Sequence, residues 1–342
     1  MKVAFITPYY LQSTRGNAVT VRRLEHHLTA AGCQVRVFSR EAFAGTALVQ
    51  GIREFGPDCL HAFHALHGGV TARQVCRELG IPYLVTLTGT DLYGGEADDM
   101  AAMVEALAGA EAVVIFHETV RQRLLRLLPH PAGQIAVIPQ GVDLPDIVAP
   151  EATGDFVFFL PAGIRPVKNV LFPVAPLARL HAAHPRLRLR VAGPLLDESY
   201  CRRVLAAFAA APFVDWLGEV AFEAMAGQYA ASHVVLNTSV SEGGMANSLL
   251  EAMAAGRPVL AADIEGNRSL VEDGVNGLLY HGEADFLDKA ERLLNDLLLR
   301  QRLGLAGREY VREQCSPERE SAAYRHLYHA VTGQSKPTDS KP

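Results

Sequence analysis

The sequence predicts an α/β protein with two domains, each built on a doubly wound parallel sheet. Two observations support this fold class. Short apolar runs of strand length alternate with longer segments of helical period, which is typical of βαβ units. The chain has 342 residues, and at this length a single hydrophobic core usually gives way to two.

Six strands are predicted in the first half of the chain. The first lies at 3–7 and is followed by a polar loop at 12–17 and a helix at 18–31, whose apolar residues recur at helical spacing. Gly32 then supplies the helix stop. The other strands of this half are predicted at 34–38, 59–62, 83–87, 112–116 and 135–138.

A stretch rich in proline and glycine separates the two halves. We interpret residues 139–154 as an interdomain linker, so the domains are expected to span 1–150 and 151–315. An amphipathic helix at 318–331 and a disordered tail at 332–342 are predicted to follow. The strands of the second half are predicted at 156–160, 187–192, 213–217, 234–237, 258–261 and 277–280.

Composition excludes several functional classes. Asp and Glu number 37 against 32 Lys and Arg, which argues against a nucleic-acid partner. The five cysteines are odd in number and lack metal-ligand spacing, so neither a disulfide framework nor a metal site is expected. The sequence has no signal-peptide pattern and no long apolar span, which predicts a cytoplasmic location. The basic segment 121–128 is interpreted as the outer face of a helix, so membrane association is not expected.

The most informative segment spans residues 239–261, where a strand ends, a loop with two glycines follows, and a helix begins. Glu242 precedes the glycines, and Glu251 lies within the helix. Glycines let backbone N–H groups approach a phosphate, and a helix N-terminus favours an anion there. The second acid is able to chelate a pair of vicinal hydroxyls. The alternative for any single glycine loop is an ordinary turn between two solvated acids.

A second group of candidate residues lies at 161–169, after the first strand of the second domain. Arg165 and Lys168 are three positions apart at a helix entrance, where both side chains can converge on one diphosphate. Gly163 belongs to the same loop. The alternative is that both cations are simply exposed to solvent.

These segments resemble the signature of the GT-B glycosyltransferases of family 4. The resemblance is closer over 156–330 than over 1–150. It implies two Rossmann-like domains that face a cleft, with the helix at 318–331 packed back on the first domain. The reaction implied is the retaining transfer of a sugar from a nucleotide-sugar donor, with UDP as the carrier.

The resemblance also implies roles for residues of the second domain. Glu242 would hold sugar hydroxyls and Glu251 the ribose. Arg165 and Lys168 would neutralise the diphosphate leaving group, so that neither a metal nor another cofactor is needed. The donor-binding residues implied are Gly163, Arg165, Lys168, Gly193, Leu217, Gly218, Glu242, Gly243, Gly244, Met245, Ala246, Asn247 and Glu251.

The sequence departs from the family pattern in two places. Glu242 and Glu251 are nine positions apart rather than the usual eight, which indicates one extra residue in the glycine loop. Thr88 stands where many members have a histidine that contacts the donor sugar. His64 and Asp91 are the available substitutes, and either is a candidate to position the sugar or the acceptor.

The first domain is expected to bind the acceptor. Residues 15–20 join its first strand to its first helix, at the edge where open α/β sheets bind ligands. Helix amides and the charge of Arg15 favour a small anionic or polar acceptor there. The acceptor-binding candidates are Arg15, Gly16, Asn17, Thr20 and Asp91, and the catalytic candidates are Glu242, Arg165, Lys168, His64 and Asp91.

Other functions stay open. Residues 16–20, 89–91 and 239–243 are most similar to the glycosyltransferase 1 domain-containing proteins. Residues 88–93 and 242–244 also resemble the selenosugar synthases, which transfer a sugar to selenophosphate. A nucleotide-sugar epimerase shares the GT-B architecture, and Thr88 leaves open a catalytically silent nucleotide-sugar-binding protein. The oligomeric state is not determined by the sequence.

Overall fold

The computed structural model describes residues 1–11, 16–43, 45–89, 91, 97–128, 135–146 and 154–333. The chain divides into two compact units. The first comprises Met1–Gly141 and the segment from Ser316 onward, and the second comprises Val142–Cys315. In its described residues each unit contains one parallel sheet of six strands flanked by helices. The prediction of two doubly wound parallel sheets is therefore confirmed.

The first unit contains all six strands predicted for it. Its sheet has the order β2-β1-β3-β4-β5-β6, and every neighbouring pair is parallel. The strands β1 to β6 are Lys2–Thr7, Gln34–Ser39, Cys59–Phe63, Tyr83–Thr86, Ala112–Ile115 and Ile135–Val137. The helices α1 to α5 are Gly16–Ala30, Gly45–Phe55, Val70–Leu79, Ala97–Ala108 and Arg121–Leu127.

Burial explains why the strand β1 is almost continuously apolar. Val3, Ala4, Phe5 and Ile6 of β1 are all fully buried, because helices cover both faces of a parallel sheet. The predicted stop of α1 is also observed: Gly32 adopts a φ of +86°, a left-handed conformation that glycine tolerates best.

The second unit contains the other six predicted strands. Its order is β12-β11-β10-β7-β8-β9, so the strand order reverses between β7 and β10. Loops at such a reversal diverge and leave room for a ligand at the carboxyl ends of the strands. The strands β7 to β12 are Phe156–Pro161, Leu187–Ala192, Val214–Trp216, Val234–Asn237, Val259–Ala262 and Leu278–Tyr280. The helices α6 to α12 are Val174–Ala183, Glu198–Ala209, Phe222–Ala230, Asn247–Ala254, Glu265–Arg268, Gly282–Asn295 and Leu297–Gln314.

The boundary between the units differs from the predicted one. The second unit begins at Val142 rather than at residue 151. The Val142 N–H donates to the carbonyl of Cys315 at 2.8 Å, and Arg308 donates to the carbonyl of Pro145 at 2.7 Å. These bonds tie the chain after Gly141 to the second unit. Part of the predicted linker, 147–153, and most of the predicted tail, 334–342, lie outside the described residues.

The last helix, α13 at Pro317–Thr332, packs against α1 in the first unit. Glu320 of α13 accepts two hydrogen bonds from the Arg23 guanidinium of α1, each 3.1 Å long. The Glu320 side chain is 2% exposed and that of Arg23 is 9% exposed. The ion pair is therefore shielded from water on both sides and holds α13 in register with α1.

A buried polar network also fixes α13 to the sheet. His61 of β3 lies between Tyr328 and Thr86, and its two ring nitrogens are 2.7 Å from their hydroxyl oxygens. Tyr324 lies 3.0 Å from the same Thr86 hydroxyl. Burial lowers the pKa of His61 well below its usual range, so the ring is neutral and one nitrogen donates while the other accepts. His61 therefore has a structural role.

In the described parts of the chain, every helix is too short or too polar to cross a lipid bilayer.

We expect the substitution Glu320→Ala to destabilise the first unit, because it leaves the Arg23 guanidinium buried without its carboxylate. Loss of one partner of a buried ion pair costs about 3–5 kcal/mol. Denaturant titration followed by circular dichroism measures the change. Glu198→Ala is the control, since its pair with Arg202 is 70–87% exposed and should leave the midpoint unchanged. Equal midpoints for the two variants would contradict the expectation.

Candidate functional site

Loops from two neighbouring strands meet at the point where the strand order of the second sheet reverses. The loop at 162–169 follows β7, and the loop at 238–246 follows β10. The Val240 N–H donates to the carbonyl of Val167 at 2.9 Å, and the Thr238 hydroxyl donates to the carbonyl of Lys168 at 2.9 Å. These bonds bring the two predicted donor-site segments together.

An ion pair between Lys168 and Glu242 forms the centre of this site. Ser239 Oγ donates to the same Glu242 oxygen, Oε1, at 2.7 Å, and Asn237 Nδ2 approaches it at 3.4 Å. Burial alone would raise the pKa of the Glu242 carboxyl, but the charge of Lys168 and these hydrogen bonds together lower it below its usual value. Glu242 is therefore an anion at neutral pH. Within the described residues, no group donates to its second oxygen, Oε2.

The backbone behind Glu242 is tightly packed. A Cβ at Gly266 would lie 2.4 Å from the Glu242 carbonyl oxygen, so only glycine fits there. The buried amide of Asn267 donates to Asn237 at 3.4 Å and to the carbonyl of Ala262 at 2.8 Å. The sequence patterns considered above do not predict the role of Asn237. Its signal is an asparagine at the end of the apolar strand β10, since asparagine is disfavoured in a strand unless it has a specific partner.

Arg165 has a different environment from Lys168. It precedes the short 3-10 turn Pro166–Lys168 and is half-buried. No carboxylate pairs with its guanidinium in the part of the chain that the structure describes. The spacing of Arg165 and Lys168 predicts that both cations converge on one diphosphate, whereas in the structure Lys168 forms an ion pair with Glu242. Arg165 is therefore the cation whose charge is not balanced by a neighbouring acid.

The other predicted glycines lie in loops at the same edge of the sheet. A Cβ at Gly193 would lie 2.1 Å from the carbonyl oxygen of Ala162, and one at Gly163 would lie 2.7 Å from Leu196. The Gly193 N–H donates to the carbonyl of Gly218 at 2.8 Å, and Gly218 adopts a φ of +71°. The close backbone approach at Gly193 requires glycine, and the positive φ of Gly218 favours it. Leu217, next to Gly218, is 39% exposed.

The glycine loop leads directly into α9. Gly243 is half-buried, and Gly244, Met245 and Ala246 are buried. Helix α9 begins at Asn247, and its N-cap residue Ala246 has no side chain that could accept from the first amides. An uncapped helix start of this kind favours an anion.

Glu251 lies in the second turn of α9, where it accepts a hydrogen bond of 2.7 Å from the Tyr229 hydroxyl of α8. Tyr229 is buried and Glu251 is half-buried. Burial and the charge of Glu251 raise the pKa of Tyr229 well above its usual value, so the phenol remains a donor at any ordinary pH. Glu251 is predicted from the sequence but Tyr229 is not, because residues 22 positions apart give no local signal.

In the first unit, His64 and Asp91 come together at the carboxyl ends of β3 and β4. His64 Nδ1 lies 3.2 Å from Asp91 Oδ1. His64 has a φ of +73°, which is a strained conformation for a residue with a side chain. The π-helical turn Ala65–Gly69 follows it, and the His67 ring stacks on the His64 ring at 4.4 Å. Strain of this kind is typical of functional sites.

Asp91 does not face solvent. Its side chain is fully buried. One oxygen also accepts from the Ala65 N–H, and the other accepts from the N–H groups of Thr88 at 2.7 Å and Gly89 at 3.0 Å. The prediction that Asp91 binds an acceptor is therefore corrected. A carboxylate with both oxygens engaged by its own chain braces the loop that carries His64.

Thr20 is also an internal residue. It is 4% exposed, and its hydroxyl lies 2.8 Å from Gln140 Oε1 and 3.1 Å from the carbonyl of Gly16. We therefore correct its assignment as an acceptor ligand. Gly16 is exposed and Asn17 is half-buried in the first turn of α1, whereas Arg15 lies outside the described residues. No group of three or more potential metal ligands occurs in the described ranges.

Comparison with known proteins identifies the family. Residues 155–296 match the family model described as Glycosyl transferases group 1, and residues 40–146 match the one described as Glycosyltransferase Family 4. A D-inositol 3-phosphate glycosyltransferase from Frankia alni is 30% identical over 291 residues, which cover 73% of this chain and 69% of the relative. The chain belongs to the GT-B glycosyltransferases.

A further relative and two solved structures match over almost the whole chain. Glycosyltransferase 1 domain-containing protein 1 from Xenopus tropicalis is 25% identical over 349 residues, 96% of this chain and 97% of the relative. Sucrose-phosphate synthase from Thermosynechococcus elongatus has a TM-score of 0.84 at 20% identity and covers 98% of this chain and 100% of its own. Anabaena HepE in complex with UDP-glucose has a TM-score of 0.78 at 17% identity, with 96% and 99% coverage. The GT-B prediction is thus confirmed, and the resemblance to selenosugar synthases stays a prediction.

We expect the substitution Lys168→Met to destabilise the protein by an amount that depends on pH. The folded-state pKa of wild-type Glu242 is lowered, so its ionised form stabilises the fold above its unfolded pKa of about 4.3. Without Lys168, burial dominates and the pKa of Glu242 rises, so the ionised form becomes destabilising. The gap in unfolding midpoint between the two proteins should be widest near neutral pH and narrow on acidification.

Denaturation at several pH values measures this gap. Arg202→Met, which removes an exposed cation, is the control and should give a gap that does not change with pH. A gap for Lys168→Met that is constant across the same range would refute the coupling between Lys168 and Glu242.

Proposed function

We propose that the protein is a retaining glycosyltransferase that moves a sugar from a UDP-sugar to a small polar or anionic acceptor. The observation that carries this proposal is the arrangement around Glu242. One carboxylate oxygen accepts from Lys168, Ser239 and Asn237, which keeps the group ionised and fixed, while its other oxygen has no donor in the described residues. Such an oxygen is suited to accept a hydrogen bond from a sugar hydroxyl.

The choice of UDP is supported by the relatives. HepE has been crystallised with UDP and with UDP-glucose, and its fold matches this chain over nearly its whole length. In the proposed reaction the bond between the sugar C1 and the diphosphate oxygen breaks, and C1 bonds to the acceptor on the same face. Retention of configuration rests on the resemblance to family 4.

Positive charge is available where the diphosphate would leave. The half-buried Arg165 guanidinium lies in the loop after β7, and helix α9, whose N-cap residue Ala246 makes no side-chain cap bond, begins after the glycine loop. Both would stabilise the negative charge that develops on the leaving group. The charge of Lys168, which forms an ion pair with Glu242, would add to this positive electrostatic potential. We therefore propose that the transfer needs neither a metal ion nor another cofactor.

The acceptor is proposed to bind to the first unit. The exposed Gly16 and the half-buried Asn17 form the start of α1, where helix amides favour an anion, and His64 lies at the carboxyl end of β3, which pairs with β1 in the same sheet. A relative at 30% identity is named for D-inositol 3-phosphate, which is a small anionic polyol. We propose an acceptor of the same chemical class, and a cytoplasmic location, where nucleotide sugars are available.

The remaining alternatives give different products in one assay. Incubation with UDP-sugars and candidate acceptors yields a glycoside for the proposed enzyme and a selenosugar if selenophosphate is the acceptor. A hydrolysing epimerase releases free sugar without any acceptor. A silent binding protein retains the donor and gives no product.

The substitution Arg165→Ala should lower kcat more than it weakens donor binding, because the guanidinium acts on charge that develops in the transition state. We expect a loss in kcat of about a hundredfold or more. Arg179→Ala, which removes an exposed cation of the same unit, is the control. Calorimetry measures the affinity for UDP, and initial-rate kinetics measure kcat. Equal losses in affinity and in kcat would count against a role of Arg165 in the transition state.

Chelation of divalent ions by EDTA should leave the rate of the wild-type enzyme unchanged. The physical reason is that fixed protein charges replace a metal at the diphosphate. A rate that falls to zero with EDTA and recovers on addition of a divalent ion would show that a metal carries this charge instead.

The variants Asn17→Ala and His64→Asn should lose transfer while they retain affinity for UDP. Asparagine is chosen for position 64 because it tolerates a positive φ better than most residues. Transfer is measured by product formation and affinity by calorimetry. Loss of UDP binding in both variants would overturn the assignment of the acceptor to the first unit.

A further inference from the structure

Two buried asparagines lie behind Glu242 in the second unit. Asn267, in the short helix α10, is fully buried, and Asn237, at the end of β10, is 3% exposed. Asn267 Nδ2 lies 2.8 Å from the carbonyl oxygen of Ala262 and 3.4 Å from Asn237 Oδ1. Asn237 Nδ2 in turn lies 3.4 Å from Glu242 Oε1. The two amides thus link the main chain of β11 to the Glu242 carboxylate.

Two main-chain groups fix the direction of these hydrogen bonds. A carbonyl oxygen can only accept, so the Asn267 atom that faces Ala262 is the amide nitrogen. A backbone N–H can only donate, and that of Ser239 donates to Asn237 Oδ1 at 3.0 Å. Reversal of the Asn237 amide would place its oxygen against the Glu242 carboxylate and its nitrogen against two donors. Asn237 therefore meets Glu242 as a donor.

Stability alone does not account for the asparagine at position 267. In the part of the chain that the structure describes, Asn267 Oδ1 is buried and accepts no hydrogen bond. An unsatisfied buried amide oxygen costs free energy that an apolar side chain of similar size would avoid. The useful part of this amide is therefore its nitrogen, which donates to Ala262 and Asn237.

The backbone holds Asn267 in a fixed place relative to Glu242. The carbonyl of Asn267 accepts from the Val271 N–H at 2.9 Å. The preceding residue, Gly266, packs so closely on Glu242 that a Cβ there would lie 2.4 Å from the Glu242 carbonyl oxygen. Asn267 is therefore in place before any ligand binds, and it can set the direction of the Asn237 amide.

We infer that Asn267 is a positioning residue of the donor site, which orients Asn237 so that Glu242 meets donors at Oε1 and offers Oε2 to the sugar. This inference rests on the proposed function, in which Oε2 accepts from a sugar hydroxyl. Lys168, Ser239 and Asn237 all bond to Oε1. Because these three donors lie on one oxygen, the carboxylate cannot rotate without losing them, and Oε2 keeps one direction.

In the described residues, one cation is paired with the Glu242 carboxylate. Lys168, from the loop after β7, forms an ion pair with Oε1. The charged residues at α10 interact with one another, since Arg268 pairs with Asp263 and lies near Glu265. Lys168 and the neutral donors therefore keep Glu242 ionised, and a negative charge introduced beside Oε1 should raise the pKa of this carboxyl.

The first test measures the dissociation constants of UDP and of a UDP-sugar by calorimetry. UDP-glucose, UDP-galactose and UDP-N-acetylglucosamine are compared, and the one that the wild type binds most tightly is used. The variant Asn267→Leu removes the amide donors and keeps the size of the side chain. We expect it to weaken binding of the UDP-sugar by about tenfold and that of UDP by less than about twofold, because only the sugar contacts Glu242.

The matched control is Asn276→Leu. Asn276 is 5% exposed and bonds to main-chain groups, namely the carbonyl of Leu270 at 3.0 Å and the N–H of Glu272 at 2.8 Å. A merely structural effect of losing a buried amide would be the same in both variants. The control should therefore lose stability while both dissociation constants keep their wild-type values.

A second variant, Asn237→Asp, tests the direction of the Asn237 amide through pH. It places a carboxylate beside Glu242 Oε1, and two carboxylates this close share a proton, which raises the pKa of one of them. We expect the pH below which the affinity for the UDP-sugar falls to rise by about one unit or more, while UDP binding keeps its wild-type pH dependence. Asn276→Asp is the control for a new buried carboxyl and should leave this pH unchanged.

Circular dichroism confirms that each variant is folded, and either variant decides the question if the other fails to fold. Equal losses of affinity for UDP and the UDP-sugar in Asn267→Leu, or no loss in either, would show that the inference is wrong while the proposed function stands. An unchanged pH limit in Asn237→Asp would do the same. If the wild type binds none of the UDP-sugars, the proposed function fails, and the inference fails with it.

Discussion

A parallel sheet brings the carboxyl ends of all its strands to one edge, and both candidate sites of this protein follow from that constraint. In the second unit the loops after β7 and β10 meet at this edge and join Lys168 to Glu242. In the first unit the ends of β3 and β4 join His64 to Asp91. Each unit therefore assembles the polar groups of its candidate site at one edge of its sheet.

The two sites stabilise a buried carboxylate in different ways, and the difference suggests different roles. Asp91 is fully buried, and backbone N–H groups and His64 engage both of its oxygens. It acts as a brace between two loops. Glu242 is held through one oxygen by a cation and two neutral donors. Since a buried charge needs compensation, Lys168 allows Glu242 to stay ionised and still offer an oxygen to a ligand.

The C-terminal helix completes the first unit rather than extending the second. The buried Arg23–Glu320 pair and the hydroxyls around His61 fix α13 against α1 and β3. Gly141 packs so closely on this helix that a Cβ there would lie 2.7 Å from the Cα of Pro317. A sequence-distant segment is thus built into the core of the unit that carries His64, so the stability of that unit depends on both ends of the chain.

The sequence alone determined the strands, the two units, the glycine loop and the candidate residues Arg165, Lys168, Glu242 and Glu251, because hydrophobic period, glycine and local spacing act over a few residues. Only the tertiary structure decided how those residues are paired. Lys168 and Glu242 are 74 positions apart, and strand order brings them together. The burial of Thr20 and Asp91, and the bond from Tyr229 to Glu251, likewise depend on how helices pack, which short-range patterns in a sequence do not encode.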